Sequence, residues 1–412
     1  MNIRDYLLTM RDGTMKQVNP ITSDVVWYVP GRQVRFGISD HIEYQKLEAN
    51  VPEDYCDFCR AHYTRTSPEK SRIVKNGNAY SHLCFLPSEQ YYSTDPLFRR
   101  IGNLFEIVSF DFWNKNYDAI IAPVWRQWMD EYLSSPAGRE HVETLLRMKL
   151  SWLGMDGDTT QRMLTHEFTR LATPLFGGWH DLIISARHYR EDAQSLNELF
   201  FTGDYSPEEH YQLFLYTLET IQSIYDENPH ARFAAMFQNW GRAAGASREH
   251  LHRQIMALDE WGPTLTKAVT RASREPRFFS QLAHTFANDL SLKIAENDFA
   301  VCTVETGWRY PAVAIYARET RKQLHDYSPE ELRGISDLVH ACHKGLGASL
   351  PTNEEWLYTP PGAKAAIPLQ IRIKWRANIT AGFEGETDIW INPVSPFEFR
   401  DHIASQIKKG IS

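Results

Sequence analysis

A six-residue sequence occurs twice in this chain of 412 residues and constrains its fold strongly. Asp-Tyr-Ser-Pro-Glu-Glu occupies 204–209 and again 326–331. Each copy is a strong helix start, with Ser as the N-cap, Pro at the first helical position and acidic residues in the first turn. A Gly-Trp pair and a β-prone run precede each copy. Two helix caps that converged independently would be the alternative; the matching contexts instead predict a duplicated α+β unit, with halves at about 166–258 and 298–395.

Two segments outside the repeated units, an insertion and a connector, are predicted to be helical. Apolar residues with a period of 3.6 predict a helical insertion in the first half, at about 96–172. Its tryptophans Trp125, Trp128 and Trp152 are expected to pack inside it. The predicted boundaries are 1–258 for the first unit, 259–297 for a helical connector and 298–412 for the second unit.

Composition excludes several classes of partner. The formal net charge of −8 argues against a general nucleic-acid binder, because binding to a phosphate backbone needs a basic face. No apolar run approaches the 18 residues of a membrane span, and the first residues lack the pattern of a signal peptide. Five cysteines with a single CxxC pair fit a reducing cytoplasm better than a disulfide scaffold. We therefore expect a cytoplasmic protein without a nucleic-acid or membrane partner.

Two histidines and a glutamine are spaced for chemistry at phosphate. In an extended segment, residues two apart share one face, so His250, His252 and Gln254 project together. A Gly-Ala-Ser turn precedes them, after an apolar, strand-like run at 233–237. A surface strand that happens to carry histidines is the alternative. The pattern favours a place where a phosphate is held and attacked.

Other motifs in the same order support a family resemblance. They are Cys56-Asp57-Phe58-Cys59, the segment from Gly178 to His188, Asn239-Trp240-Gly241, Gly245-Ala246-Ser247 and His250-Leu251-His252-Arg253-Gln254. With them the chain resembles the histidine-triad superfamily, in the branch of galactose-1-phosphate uridylyltransferase, which carries HxHxQ where its hydrolase relatives carry HxHxH. The resemblance implies an α+β fold of two tandem histidine-triad units, each an antiparallel sheet with helices.

The resemblance also implies roles for individual residues. His252 would be the nucleophile that forms a covalent nucleotidyl-histidine, and Gln254 would hold a phosphate oxygen. Candidate substrate contacts are Arg32, Asn239, Ser247, Phe383 and Glu384. By the same resemblance, Cys56, Cys59, His188 and His250 would form a structural zinc site; for the CxxC alone, a redox pair or two core cysteines is the alternative.

The repeat permits an internal alignment of the two halves. At an offset of 122 residues, His250, His252 and Gln254 stand opposite Arg372, Lys374 and Arg376, so the second half lacks the catalytic histidines. Lys374 and its neighbours would bind a substrate phosphate or simply line a solvated sheet face.

Taken together, the sequence predicts a nucleotidylyltransferase that acts on a nucleotide-sugar or related nucleoside diphosphate compound. The alternatives are a phosphorylase or hydrolase of the same fold, or a non-catalytic nucleotide-binding protein. Gln254 disfavours hydrolysis, because a carboxamide is a poor proton relay to water. The prediction leaves room for a homodimer.

Overall fold

The computed structural model describes residues 5–32, 46–47, 54–377 and 380–411. The elements of the first part of the chain are β1 Leu7–Thr9, β2 Met15–Val18, β3 Val25–Tyr28, β4 Glu69–Asn76, β5 Ala79–Cys84, β6 Pro96–Gly102, α1 Phe110–Tyr117, α2 Pro123–Ser134, α3 Pro136–Trp152, α4 Gly157–Gly177, β7 His180–Ser185, α5 Pro207–Glu227, β8 Phe233–Trp240 and β9 His252–Leu258. Those of the second part are α6 Pro263–Arg274, α7 Phe278–Ser280, α8 Ala287–Asp289, β10 Lys293–Glu296, β11 Ala300–Val304, β12 Ala312–Ala317, α9 Pro329–Leu346, β13 Thr352–Leu357, β14 Gln370–Trp375, α10 Gly382–Thr387, β15 Ile389–Ile391 and α11 Pro396–Ile411. None of the described helices is both long and apolar enough to cross a membrane.

One antiparallel sheet contains strands from both halves of the chain. Its order is β5-β4-β6-β7-β9-β8-β13-β14-β12-β11-β10. The halves meet where β8 pairs with β13, with Thr352 opposite Trp240 and Glu355 opposite Phe237. Helices α5 and α9 pack against each other. The α+β class predicted from the sequence is confirmed, and the two repeated units share a single sheet.

The repeated hexapeptides form the helix starts that the sequence predicts. Ser206 caps α5 and Ser328 caps α9, each accepting from the backbone N–H three residues on. In return, Glu209 and Glu331 accept from the N–H groups of the capping serines. These reciprocal bonds satisfy donors that a helix N-terminus otherwise leaves unpaired.

Strand positions correct the internal alignment by four residues. The capping serines are 122 residues apart, whereas β9 begins at 252 and β14 at 370, which is 118 residues on. The difference arises mainly because α9 has 18 residues where α5 has 21, and β13 has six where β8 has eight. Gln370 therefore stands at the strand position of His252, and Arg372 at that of Gln254. Since four is an even number, the basic residues remain on the same face of the sheet.

The helical insertion has a core of its own. Helices α1 to α4 occupy 110–177, whereas residues 96–102, which the sequence placed in the insertion, form β6 of the large sheet. Trp125 and Trp128 are buried in the insertion's apolar cluster, as expected. Trp152 does not pack inside it, because its surface is 70% exposed.

Segments from the two ends of the chain form a second sheet. Its order is β1-β2-β3-β15, and β15 runs parallel to β3. The sheet lies against the second half, where Gly307 N donates to Gln17 Oε1 and Asn19 Nδ2 donates to Thr306 O. Residues 7–28 thus pack with 389–391, although the sequence analysis assigned 1–258 to one unit.

Candidate functional site

The candidate catalytic residues lie on the sheet face that points away from α5. Arg253 lies on the helical face, since it donates to Thr217 Oγ1 of α5 at 3.3 Å. His252 and Gln254 flank Arg253 in β9 and therefore project from the opposite face. We call this the open face. The alternation that the sequence predicts is present, although His250 precedes the first residue of β9.

Two lateral rows of side chains cross the open face and connect the halves. Backbone pairing places one row in the order Leu182, Gln254, Phe237, Glu355 and Arg372. The neighbouring row contains Ile184, His252, Asn239, Asn353 and Lys374, where the place of Asn239 opposite His252 follows by continuing the β8–β9 register. Three strand spacings of about 4.8 Å separate β9 from β14, so Lys374 lies about 14 Å along the sheet from His252.

The imidazole of His252 is held in one neutral tautomer. Its Nδ1 lies 2.7 Å from the carbonyl oxygen of His250. A carbonyl can only accept, so Nδ1 carries the proton and Nε2 keeps its lone pair. Burial lowers the pKa of His252 to about 4, which keeps the ring unprotonated near neutral pH. An unprotonated Nε2 is the atom with which histidine can attack phosphorus.

Two neighbours of this pair were not predicted from the sequence to belong to the site. Phe58, inside the CxxC motif, packs its ring edgewise against the ring of His252 at a centroid distance of 5.4 Å. His180, at the start of β7, places Nε2 at 3.0 Å from Gln254 Oε1. Both contacts join residues far apart in sequence, and no local spacing signals them.

Cys56, Cys59, His188 and His250 form a buried cluster that could hold a metal ion, with all four donor atoms within 4.8 Å of one another. Their sulfur atoms are 3.7 Å apart, and the distances from sulfur to Nδ1 are 3.2 to 3.8 Å. The CxxC loop, the end of β7 and the start of β9 meet here. The cluster therefore fixes the backbone that leads directly into His252.

The cluster has the donor chemistry and the dimensions of a tetrahedral site. Metal–sulfur bonds of about 2.3 Å and metal–nitrogen bonds of about 2.0 Å give S···S edges of about 3.7 Å and S···N edges of about 3.5 Å. His250 Nε2 lies 2.7 Å from Ser185 O, so it donates there and leaves Nδ1 free to bind a metal ion. Hydrogen bonding from Cys56 and from the two histidines lowers the pKa of Cys59, which favours the thiolate that a metal ion requires.

Acidic partners neutralise two of the three basic residues that the repeat aligned with the histidine motif, Arg372 and Lys374. Lys374 Nζ contacts both carboxylate oxygens of Glu355, at 2.8 and 2.6 Å. Arg372 forms a buried ion pair with Glu305. Arg376 donates instead to the neutral side chain of Asn353, at 2.9 Å. Arg372, Lys374 and Arg376 line a cleft of about 540 Å³ on the open face, together with Asn239 and Trp308.

The other predicted contact residues lie in different places. Asn239 Oδ1 accepts from Asn353 Nδ2 at 2.7 Å, across the β8–β13 joint. Ser247 is exposed on the loop before His250 and lines a cleft of about 400 Å³ beside the cysteine–histidine cluster. Arg32 is exposed in the turn that follows β3 of the small sheet.

The segment predicted to contact a sugar forms α10. Phe383 is 46% exposed there. Glu384 is buried, and it accepts from Ala381 N at 3.0 Å. Its carboxylate thus stabilises the start of its own helix, which leads into β15 of the small sheet.

A family model described as a domain of unknown function, DUF4921, matches residues 10–410. The chain belongs to this family. No curated protein matches it in sequence.

Two solved structures from Arabidopsis thaliana resemble this DUF4921 chain over nearly its whole length. One is an ADP-glucose phosphorylase with bound ADP-glucose, with a TM-score of 0.57 and 16% identity. The other is a GalT-like protein, with a TM-score of 0.59 and 16% identity. Each comparison covers 95% of this chain and 98% of the other. The chain therefore has the GalT-like fold, and the resemblance identified from its motifs is confirmed at the level of the fold.

Proposed function

We propose that this protein transfers a nucleotidyl group from a nucleoside diphosphate compound, such as a nucleotide-sugar, through a covalent intermediate on His252. The tautomer of His252 carries the proposal. Its Nδ1 proton is engaged by the carbonyl of His250 at 2.7 Å, so the Nε2 lone pair is available for attack. The GalT-like fold, which an ADP-glucose phosphorylase shares, supports this class of substrate.

The reaction has two balanced steps. Nε2 of His252 forms a bond to the α-phosphorus while the bond from that phosphorus to the bridging oxygen breaks, and the sugar phosphate leaves with the bridging oxygen. An oxygen of the acceptor then attacks the same phosphorus, the N–P bond breaks, and His252 regains its lone pair. With a sugar phosphate as acceptor the reaction is a transfer, and with inorganic phosphate it is a phosphorolysis.

Neighbouring residues would support the displacement. The amide of Gln254, on the same face, would donate to a non-bridging oxygen, where negative charge must be stabilised. Asn239 and the cleft that contains Lys374 would contact the rest of the substrate. Arg376 has a neutral hydrogen-bond partner rather than a carboxylate, so we favour it over Lys374 as the cation for an anionic group. Ser247, Arg32, Phe383 and Glu384 remain predicted contacts.

We also propose that the cysteine–histidine cluster binds a structural zinc ion. Two thiolates and two imidazoles complete a tetrahedral set without a position for water, which is typical of structural rather than catalytic zinc. The ion would hold the strand two residues before the nucleophile.

The test is intact-mass spectrometry after incubation with ADP-glucose or UDP-glucose in the absence of an acceptor. We expect a mass gain of one nucleotidyl group (a nucleoside monophosphate less water), labile to acid, in the wild type and none in His252→Asn. Addition of inorganic phosphate or a hexose 1-phosphate should discharge the adduct. An adduct that persists in His252→Asn would remove this residue from the mechanism. A wild type that takes up no nucleotidyl group from a panel of nucleoside diphosphate donors would overturn the proposed function.

A further inference from the structure

A buried histidine outside the HxHxQ motif contacts the candidate catalytic glutamine. His180 begins β7, is 1% exposed and lies on the open face beside Leu182, which pairs with Gln254. Its Nε2 is 3.0 Å from Gln254 Oε1. The structure therefore links Gln254, the side chain proposed to hold a phosphate oxygen, to a buried histidine other than His252.

The backbone of the neighbouring segment fixes the tautomer of His180. The N–H of Ile107 points to His180 Nδ1 at 3.1 Å. A backbone N–H can only donate, so Nδ1 must be unprotonated, and the proton of the neutral ring lies on Nε2. Nε2 then donates to Gln254 Oε1. Asn103 Nδ2, which lies 3.2 Å from Nε2, is also a donor and forms no hydrogen bond with the ring in this tautomer.

This bond decides which end of the Gln254 amide faces the substrate. With Oε1 turned toward His180, the NH₂ group of Gln254 is free to donate elsewhere. The reversed amide would present an oxygen to a phosphate oxygen, and two acceptors repel each other. We propose that His180 is a positioning residue that orients the Gln254 amide so that its NH₂ group faces the phosphoryl group; this inference rests on the proposed function.

The same contacts assign a role to the segment that leads into the helical insertion. Asn103 and Ile107 lie between β6 and α1, and Asn103 N donates to His180 O at 2.7 Å. This segment thus holds both the backbone and the ring of His180. The side chain of Ile107 is 67% exposed, so its backbone, rather than its side chain, makes the contact with the site.

The first test reads the tautomer without any substrate. Protein with ¹⁵N-labelled histidine side chains is examined by NMR, and the resonances of His180 are assigned by their loss in His180→Gln. We expect a protonated Nε2 and an unprotonated Nδ1 in the wild type. A proton on Nδ1 would overturn the proposal, because Asn103 would then be the donor to Nε2 and Gln254 could not accept from it.

The second test measures the single-turnover rate of adduct formation from ADP-glucose, or from whichever donor first labels the wild type. His180→Leu removes the donor and should slow the step by about 10- to 100-fold, approaching the loss of Gln254→Ala, while half-saturation by the donor changes little. His180→Gln keeps an N–H donor and should restore much of the rate. In the double variant with Gln254→Ala, His180→Leu should have no further effect.

A matched control separates positioning from folding. His141→Leu removes another buried histidine, which is 5% exposed and is bonded to Tyr132 of the insertion and to the backbone carbonyl of Thr66. It should lower thermal stability and leave the rate unchanged. Wild-type rate in a folded His180→Leu variant would reject this inference while the proposed function stands. If the wild type forms no adduct, the proposed function fails, and the positioning role of His180 fails with it even when the tautomer is as expected.

Discussion

At the scale of single residues, backbone groups set the protonation of the site's histidines. The carbonyl of Ser185 accepts from His250, the carbonyl of His250 accepts from His252, and the N–H of Ile107 donates to His180. A backbone N–H only donates and a backbone carbonyl only accepts. Each contact therefore fixes which ring nitrogen carries the proton and which keeps a lone pair. The three rings are therefore held in defined orientations by the fold itself.

Sequence spacing identifies only part of this arrangement. The two-residue period of a strand places His252 and Gln254 on one face, and this follows from local geometry alone. His180 reaches the same face because β7 pairs with β9. Phe58 reaches it because the CxxC loop folds against His252. Those contacts depend on tertiary pairing between segments more than 70 residues apart, which local patterns do not encode.

Glu106, in the segment that holds His180, should give folding stability an unusual pH dependence. Burial raises the pKa of Glu106 to about 7. A carboxyl group with a raised pKa stabilises the fold fully below its unfolded value near 4.5, and that stabilisation is lost as the pH rises through 7. We expect the free energy of unfolding to fall by about 2 kcal/mol between pH 5 and pH 8 relative to Glu106→Gln. Urea unfolding of both proteins at the two pH values measures this difference.

An exposed glutamate of α3 provides the control for Glu106. Glu140→Gln changes the same functional group on the insertion's surface and should retain the wild-type pH dependence. Equal pH dependence in the wild type and in Glu106→Gln would show that Glu106 is ionised in the folded protein throughout this range.

At the scale of elements, the cysteine–histidine cluster should couple metal binding to the stability of three segments. The double variant Cys56→Ser, Cys59→Ser removes both sulfur ligands and should lose about one zinc ion per chain, with a fall in the thermal midpoint of several degrees. Metal analysis and calorimetry measure the two effects. Cys84→Ser is the matched control, because Cys84 is exposed and lies outside the cluster. Wild-type protein purified without chelators that contains no metal would contradict the zinc proposal.

Helix starts were the most predictable elements, and strand alignment was the least. The hexapeptide carries its own N-cap, proline and acidic partner, so α5 and α9 begin where the sequence indicates. The equivalence of β9 and β14 depends on the accumulated lengths of the helix, strand and loop that precede each, and these differ between the halves. A constant offset from one motif therefore matched the correct strands at the wrong residues.

At the scale of the whole molecule, the two repeated halves form one structure. The β8–β13 pairing makes a single sheet, and α5 packs on α9 across the same joint. A buried ion pair also crosses it, with Arg253 Nη2 at 3.1 Å from Glu354. His343 and Trp356 contact the same carboxylate at 2.6 Å. The sequence revealed the repeat, but its fusion into one sheet depends on edges that only meet in the folded chain.

This joint should make the two halves unfold together. Substitution of Glu354 tests how much the joint contributes to stability. Glu354→Gln leaves the buried guanidinium of Arg253 without its counter-charge and should lower the free energy of unfolding by about 3 to 5 kcal/mol. Glu208→Gln removes an exposed partner of Arg333 between α5 and α9 and should cost at most about 1 kcal/mol. Both variants should retain one urea transition, coincident by circular dichroism and tryptophan fluorescence. Two separate transitions in the wild type would show instead that each half folds alone. A single transition would show that the half with His252 unfolds together with the half in which Gln370 stands at the equivalent strand position.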